Sequence, residues 1–76
     1  MVTLSTLRKK AYALDDMAET QDQYRDDKPV RFLGLWFGSS KAAKAMEMYA
    51  LDRGHITSEP YLTGNGLWNM KVQYTK

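Results

Sequence analysis

The sequence predicts an α+β protein, a single domain over residues 1–76, with an N-terminal amphipathic helix followed by a βαββ unit whose three-stranded mixed sheet runs in the order 1-3-2. Three observations predict it. Apolar residues recur at helical spacing near the start, Val30–Phe37 is a continuous run of strand-forming residues, and a glycine-rich turn separates two alternating segments near the end.

Leu4, Leu7, Ala11, Leu14 and Ala18 are spaced by three and four and form the stripe of a helix over residues 4 to about 25. Thr3 or Ser5 offers its cap, and the segment Asp26-Asp27-Lys28-Pro29 ends it, because the residue before proline is pushed toward extended geometry. The stripe is lean in large side chains, so this helix is expected to dock on another element.

In the first strand alternate residues point to opposite faces. Val30, Phe32, Gly34 and Trp36 line one face, while Arg31, Leu33, Leu35 and Phe37 line the other. Both rows are apolar, so both need cover. Cover from within the chain is the simplest expectation; a second copy or a partner protein over Leu33, Leu35 and Phe37 is the functional one.

Gly38-Ser39-Ser40 supplies a turn and an N-cap for a second helix over residues 41–53, and Gly54 suits the left-handed position that follows it. On a helical wheel Ala42, Ala43, Ala45, Met46, Tyr49 and Ala50 gather on one side, and Met48 and Leu51 fall with Lys41 and Lys44 on the other. Ile56–Leu62 and Leu67–Thr75 then flank Thr63-Gly64-Asn65-Gly66, where Asn-Gly suits a tight primed turn. Trp68, Met70, Val72 and Tyr74 form the core row of the last strand. Pro60 lacks a backbone donor, which sends the middle strand to an edge and the last strand to the centre, with a right-handed crossover through the second helix. That helix is expected to cover Trp36, Trp68, Met70 and Val72, leaving the first helix for Leu33, Leu35 and Phe37 or for a flank.

A chain of this length gives a core worth only about 3–5 kcal/mol of net stability, and a catalytic cleft is hard to build on it. The absence of cysteine removes disulfides and thiolate metal sites and fits a reducing, cytoplasmic setting. The N-terminus lacks the apolar run of a signal peptide, and no segment approaches the roughly 20 apolar residues of a membrane span. Charge is unevenly spread although the net value is only +2. Arg8, Lys9 and Lys10 cluster early, and six acids stand against the single Arg25 between residues 15 and 27.

No constellation of catalytic residues stands out. His55 is the only histidine, with no cysteine to complete a metal set, and reads as a loop residue or strand lead-in. Serines 5, 39, 40 and 58 lack a recognisable base, and Gly64-Asn65-Gly66 leads into no helix bearing Lys-Ser or Lys-Thr. The expectation is a protein without enzymatic activity, cofactor or metal.

Two surfaces are candidates for a partner. Asp15, Glu19, Asp22 and Asp26 recur at spacings of four, three and four and share a face if the first helix extends that far. Like charges at that spacing repel, and carboxylates at a helix C-terminus oppose the macrodipole, each misplacement costing about 0.3–1 kcal/mol. Either they dock a basic or nucleic-acid-binding protein surface, or the helix stops near Thr20 and they are simply solvated. The row Leu33, Leu35 and Phe37 is the second surface, and pairing of two copies across it would make a homodimer.

Nucleic-acid binding is the rival reading, drawn from a pI near 9.0 and from Arg31, Lys41, Lys44 and Lys71 among strand aromatics. Arg31-Phe32-Leu33-Gly34-Leu35-Trp36-Phe37 resembles the basic-aromatic RNP1 strand of RNA-recognition motifs, with Arg31 and Gly34 at fitting positions. It departs where RNP1 expects glycine at Phe32 and aromatics at other offsets.

Ser39-Ser40-Lys41-Ala42-Ala43-Lys44-Ala45-Met46-Glu47-Met48, followed by two strands and a short C-terminus, resembles small phage-encoded inhibitors, including some anti-CRISPR proteins. The likeness covers this helix, the size and the general architecture. It implies a stoichiometric inhibitor or adaptor that occupies the surface of a partner protein, and it carries over no functional residue.

Overall fold

A computed structural model describes residues 4–24 and 30–75 of the chain. Its elements are α1 (Leu4–Leu14), β1 (Glu19–Tyr24), β2 (Val30–Phe37), α2 (Ser40–Asp52), β3 (Ile56–Thr57), β4 (Tyr61–Leu62) and β5 (Trp68–Thr75). The class is α+β as expected. The sheet, however, has five strands in place of three and every pairing is antiparallel, in the order β1-β2-β5-β3 with β4 also on β5.

The added strand comes from the segment expected to prolong the first helix. α1 stops at Leu14 instead of near residue 25, because Asp15 turns its carboxylate back to accept from the N–H of Met17 at 2.9 Å and of Gly38 at 2.7 Å. A carboxylate closing a turn in this way competes with helical propagation. Glu19-Thr20-Gln21-Asp22-Gln23-Tyr24 then pairs along β2, from Glu19 opposite Trp36 to Tyr24 opposite Arg31. The proposed cap at Thr3 and the terminating segment at residues 26–29 lie outside the described residues.

α2 follows its sequence signals closely. Ser39 is extended and its hydroxyl accepts from Ala42 N–H at 3.2 Å. At the other end Gly54, at φ 85°, donates to Leu51 O at 3.0 Å, and His55 N–H reaches Ala50 O at 3.0 Å. This is the double closure of a left-handed C-terminal cap.

The segment expected as one middle strand is two short ones around Pro60. Ser58 fills the break by donating its N–H to Lys71 O while its hydroxyl accepts from Lys71 N–H, both at 2.9 Å. The hairpin to β5 is not a primed two-residue turn, since Gly66 alone in it is left-handed, at φ 84°. Gly66 N–H bonds Thr63 O at 3.0 Å and Thr63 N–H bonds Leu67 O at 2.9 Å, so a type I turn is closed by a glycine bulge.

Directly opposed residues of antiparallel strands share a face. Leu33 faces Val72, Leu35 faces Met70 and Phe37 faces Trp68, so these rows form one apolar surface. Leu7 and Ala11 of α1, and Ala43, Met46 and Ala50 of α2, pack on it, all fully buried. Both helices therefore cover the Leu33, Leu35 and Phe37 row, and the Phe32, Gly34 and Trp36 row is left for the opposite side. The expectation that α2 would cover Trp36 fails on register: Trp36 opposes Asn69, and so shares a face with the polar row of β5.

Candidate binding face

The two partner surfaces read from the sequence are not assembled as such among the described residues. Leu33, Leu35 and Phe37 are each 0% exposed beneath the helices, which removes the apolar row both as a docking surface and as a homodimer seam. The acidic stripe dissolves because its helix ends early. Asp15 ties the turn after α1 to the turn after β2, Glu19 and Asp22 fall on opposite faces of β1, and Asp26 lies outside the described residues.

Asp22 has an internal role on the helix-covered side. It accepts a hydrogen bond from the Tyr74 hydroxyl, and Arg31 Nη1 stands 3.7 Å from its other oxygen. Burial, together with the hydrogen bond and charge of Asp22, pushes the Tyr74 hydroxyl pKa up to about 12, and Arg31 partly offsets the rise. The proposed nucleic-acid set is scattered: Arg31 is in this cluster, Lys41 and Lys44 are on α2, with Lys44 near Glu47 and Glu59, and Lys71 is on the far side of the sheet.

The helix-free face of the sheet gathers a different set. Phe32, Gly34 and Trp36 of β2 stand beside Gln23, Gln21 and Glu19 of β1 on one flank and Gln73, Lys71 and Asn69 of β5 on the other. Ile56, opposite Gln73, and Tyr61, opposite Asn69, extend the face toward the β3/β4 edge and are 64% and 48% exposed. Gly34 makes room for Trp36: a Cβ at this position would lie 3.3 Å from Cη2 of the indole. The indole ring thus lies over the glycine, along the sheet.

Two shallow depressions flank Lys71. One, of about 190 Å³, is bounded by Gln23, Gly34, Trp36, Tyr61 and Asn69; the other, of about 220 Å³, by Phe32, Ile56, Ser58 and Gln73. Beneath the first, the side-chain oxygen of Asn69 is buried and accepts no hydrogen bond from the described residues. The charged residues on this face are Glu19 and Lys71, so among the described residues it carries no net charge.

Sequence reasoning missed Phe32, Trp36, Ile56, Tyr61 and Asn69. A usable signal was present: Asn69, Lys71 and Gln73 had to share a face with one row of the first strand, and the row interrupted by Gly34 packs a core less well than Leu33, Leu35 and Phe37. His55 takes the position after Gly54 and half-buries there, and no group of three or more His, Asp or Glu side chains among the described residues is arranged to hold a metal. No helix among the described residues is long and apolar enough to cross a membrane. Comparisons with protein-family models, with curated proteins and with solved structures gave no match.

Proposed function

We propose that this chain is a small non-catalytic binding protein, a stoichiometric inhibitor or adaptor, which acts by laying the helix-free face of its sheet on a partner protein. The single observation that carries the reading is that this face combines Phe32, Trp36, Ile56 and Tyr61 with amide side chains and no net charge. Protein interfaces are rich in aromatic anchors and poor in charge at their centre, with polar groups at the rim. The two depressions beside Lys71 fit partner side chains as anchors. The resemblance of residues 39–48 to small phage-encoded inhibitors of the anti-CRISPR kind agrees with such an action.

Stacking of single-stranded nucleic-acid bases on Trp36, Phe32 and Tyr61 is the second reading, favoured by the flat aromatic surface itself. Phosphate neutralisation supplies most of the affinity in such complexes, and among the described residues this face offers one base, Lys71, against one acid, Glu19. Capture of the tagged protein from its native lysate, with and without nuclease, separates the two. The protein-binding reading expects a discrete partner that survives nuclease and is lost from the Ile56→Ser/Tyr61→Ser variant. Recovery that vanishes with nuclease, or a partner retained by that variant, overturns it.

A further inference from the structure

The two edges of the sheet are built differently. On one, β3 and β4 are two residues long, Pro60 stands in the gap between them, and Ser58 in the same gap bonds both backbone groups of Lys71. Natural sheets blunt an edge by such means, since unpaired N–H and C=O groups invite another strand. On the other edge β1 pairs with β2 without a break from Glu19 to Tyr24, and Glu19-Thr20-Gln21-Asp22-Gln23-Tyr24 contains no proline, lysine or arginine. Among the described residues no strand lies beyond it.

Register fixes which groups of β1 face outward. In an antiparallel ladder successive residues turn their backbone groups alternately to one neighbour and to the other. Lys71 gives its N–H and C=O to Ser58, so Gly34 opposite it turns to β1, where Gln21 O lies 3.4 Å from the place of a Cβ on Gly34. Glu19, Gln21 and Gln23 therefore bond inward to β2, and Thr20 and Asp22 direct their backbone groups to the open edge.

We infer that this edge pairs with the same edge of a second copy, antiparallel about a two-fold axis at Gln21. In that register Thr20 of each copy faces Asp22 of the other, Glu19 faces Gln23, and Gln21 faces itself. Every carboxylate then meets a hydroxyl or an amide, and a glutamine amide, which both donates and accepts, suits a position that meets its own copy. An axis at Asp22 would set Asp22 against Asp22, which like charge disfavours, and an axis at Thr20 or Gln23 shortens the ladder. The two Glu19 carboxylates lie at opposite ends of the joint, roughly 13 Å apart and beyond the screening length at physiological salt. Asp22 is already held by Tyr74 and Arg31. A foreign strand could satisfy the backbone, but the side chains of β1 complement themselves. The pairing leaves both helix-free faces on one side of a continuous sheet, and it does not depend on what those faces bind.

The chain has no cysteine, so a single introduced one can bridge only to a second copy. At Gln21 the two Cα atoms would stand about 4.5 Å apart, within disulfide reach. Gln21→Cys is expected to oxidise to a covalent dimer under conditions where Glu19→Cys and Gln23→Cys alone do not, and an equimolar mixture of the latter two is expected to crosslink. Sedimentation of the full chain should show the mass rising from 8.8 kDa toward twice that value with concentration, and hydrogen exchange at Thr20 and Asp22 should slow in step. Gln21→Lys, at an exposed position, should keep the melting temperature and weaken the dimer by about tenfold or more, and mixing it with Gln21→Glu should restore it. A monomer at every concentration, equal crosslinking at the three positions, or a dimer indifferent to Gln21→Lys overturns the inference. Slowed exchange at Thr20 and Asp22 only in the presence of a captured partner overturns it in favour of a strand of that partner. Tyr61→Ser should leave the dimer intact, which keeps this test separate from that of the sheet face.

Discussion

Gly34 gives a perturbation that separates the working of the sheet face from its folding. Its backbone is not left-handed, so alanine is conformationally allowed, and replacing glycine in a strand stabilises by about 0.5–1 kcal/mol through the unfolded chain. Against this, the new methyl would sit 3.3 Å from Trp36 Cη2, tighter than ordinary contact, and 3.4 Å from the carbonyl oxygen of Gln21. Trp36 carries no helix above it and can lift by the few tenths of an ångström required. The two effects nearly cancel, and Gly34→Ala is expected to change stability by less than about 1 kcal/mol. Gly34→Val, with two more carbons on the same spot, is expected to push the indole off the sheet at a cost of about 1–3 kcal/mol. Urea unfolding measures the first quantity, and the Trp36 indole N–H resonance reports the ring. In both variants that resonance should move and partner capture should fall, in the alanine variant with stability intact. An unmoved resonance, or a loss above about 3 kcal/mol for alanine, would refute the view that Gly34 is the bed of Trp36.

Three further perturbations test the layer beneath. Tyr74 keeps its proton to about pH 12 when folded and to about 10 when unfolded, so its contribution is complete below pH 10 and lost as pH rises through 12. Stability should fall by about 1.4 kcal/mol per pH unit across that window, at most about 2–3 kcal/mol, and Tyr74→Phe should flatten the decline in an alkaline denaturation series. Asp15→Ala removes the acceptor of both the Gly38 and Met17 N–H groups and should cost about 1–3 kcal/mol by thermal unfolding, with no loss of partner in capture at low temperature; lost binding with unchanged stability would return Asp15 to a docking role. Leu35→Ala should cost about 2–5 kcal/mol, as expected of a 0% exposed side chain, whereas a partner-facing Leu35 would lose binding with stability nearly unchanged.

Where local chemistry decides, the sequence was legible. Ser39 and Gly54 bracket α2 as their types require, and Pro60 keeps its segment at the sheet edge with β5 inside. Where tertiary pairing decides, it was not. Glu19–Tyr24 continues an apolar stripe only through Ala18, and its identity as a strand rests on pairing with β2, which no short-range signal announces. The candidate site was misjudged for one reason of parity. A strand apolar on both sides shows that two surfaces need explaining, but which one meets the helices depends on register with β5, and a one-residue slip exchanges the two rows. Alternation alone thus places Trp36 in the core and offers Leu33, Leu35 and Phe37 to a partner.

The most direct test of the sheet face as the working surface is photocrosslinking from a benzoyl-phenylalanine placed at Tyr61, with the same group at Asn65 on the hairpin tip as control, in nuclease-treated native lysate. The account predicts one discrete crosslinked protein from position 61 and none from position 65. A crosslink from the tip alone, or from position 61 only to nucleic acid before nuclease treatment, would contradict it.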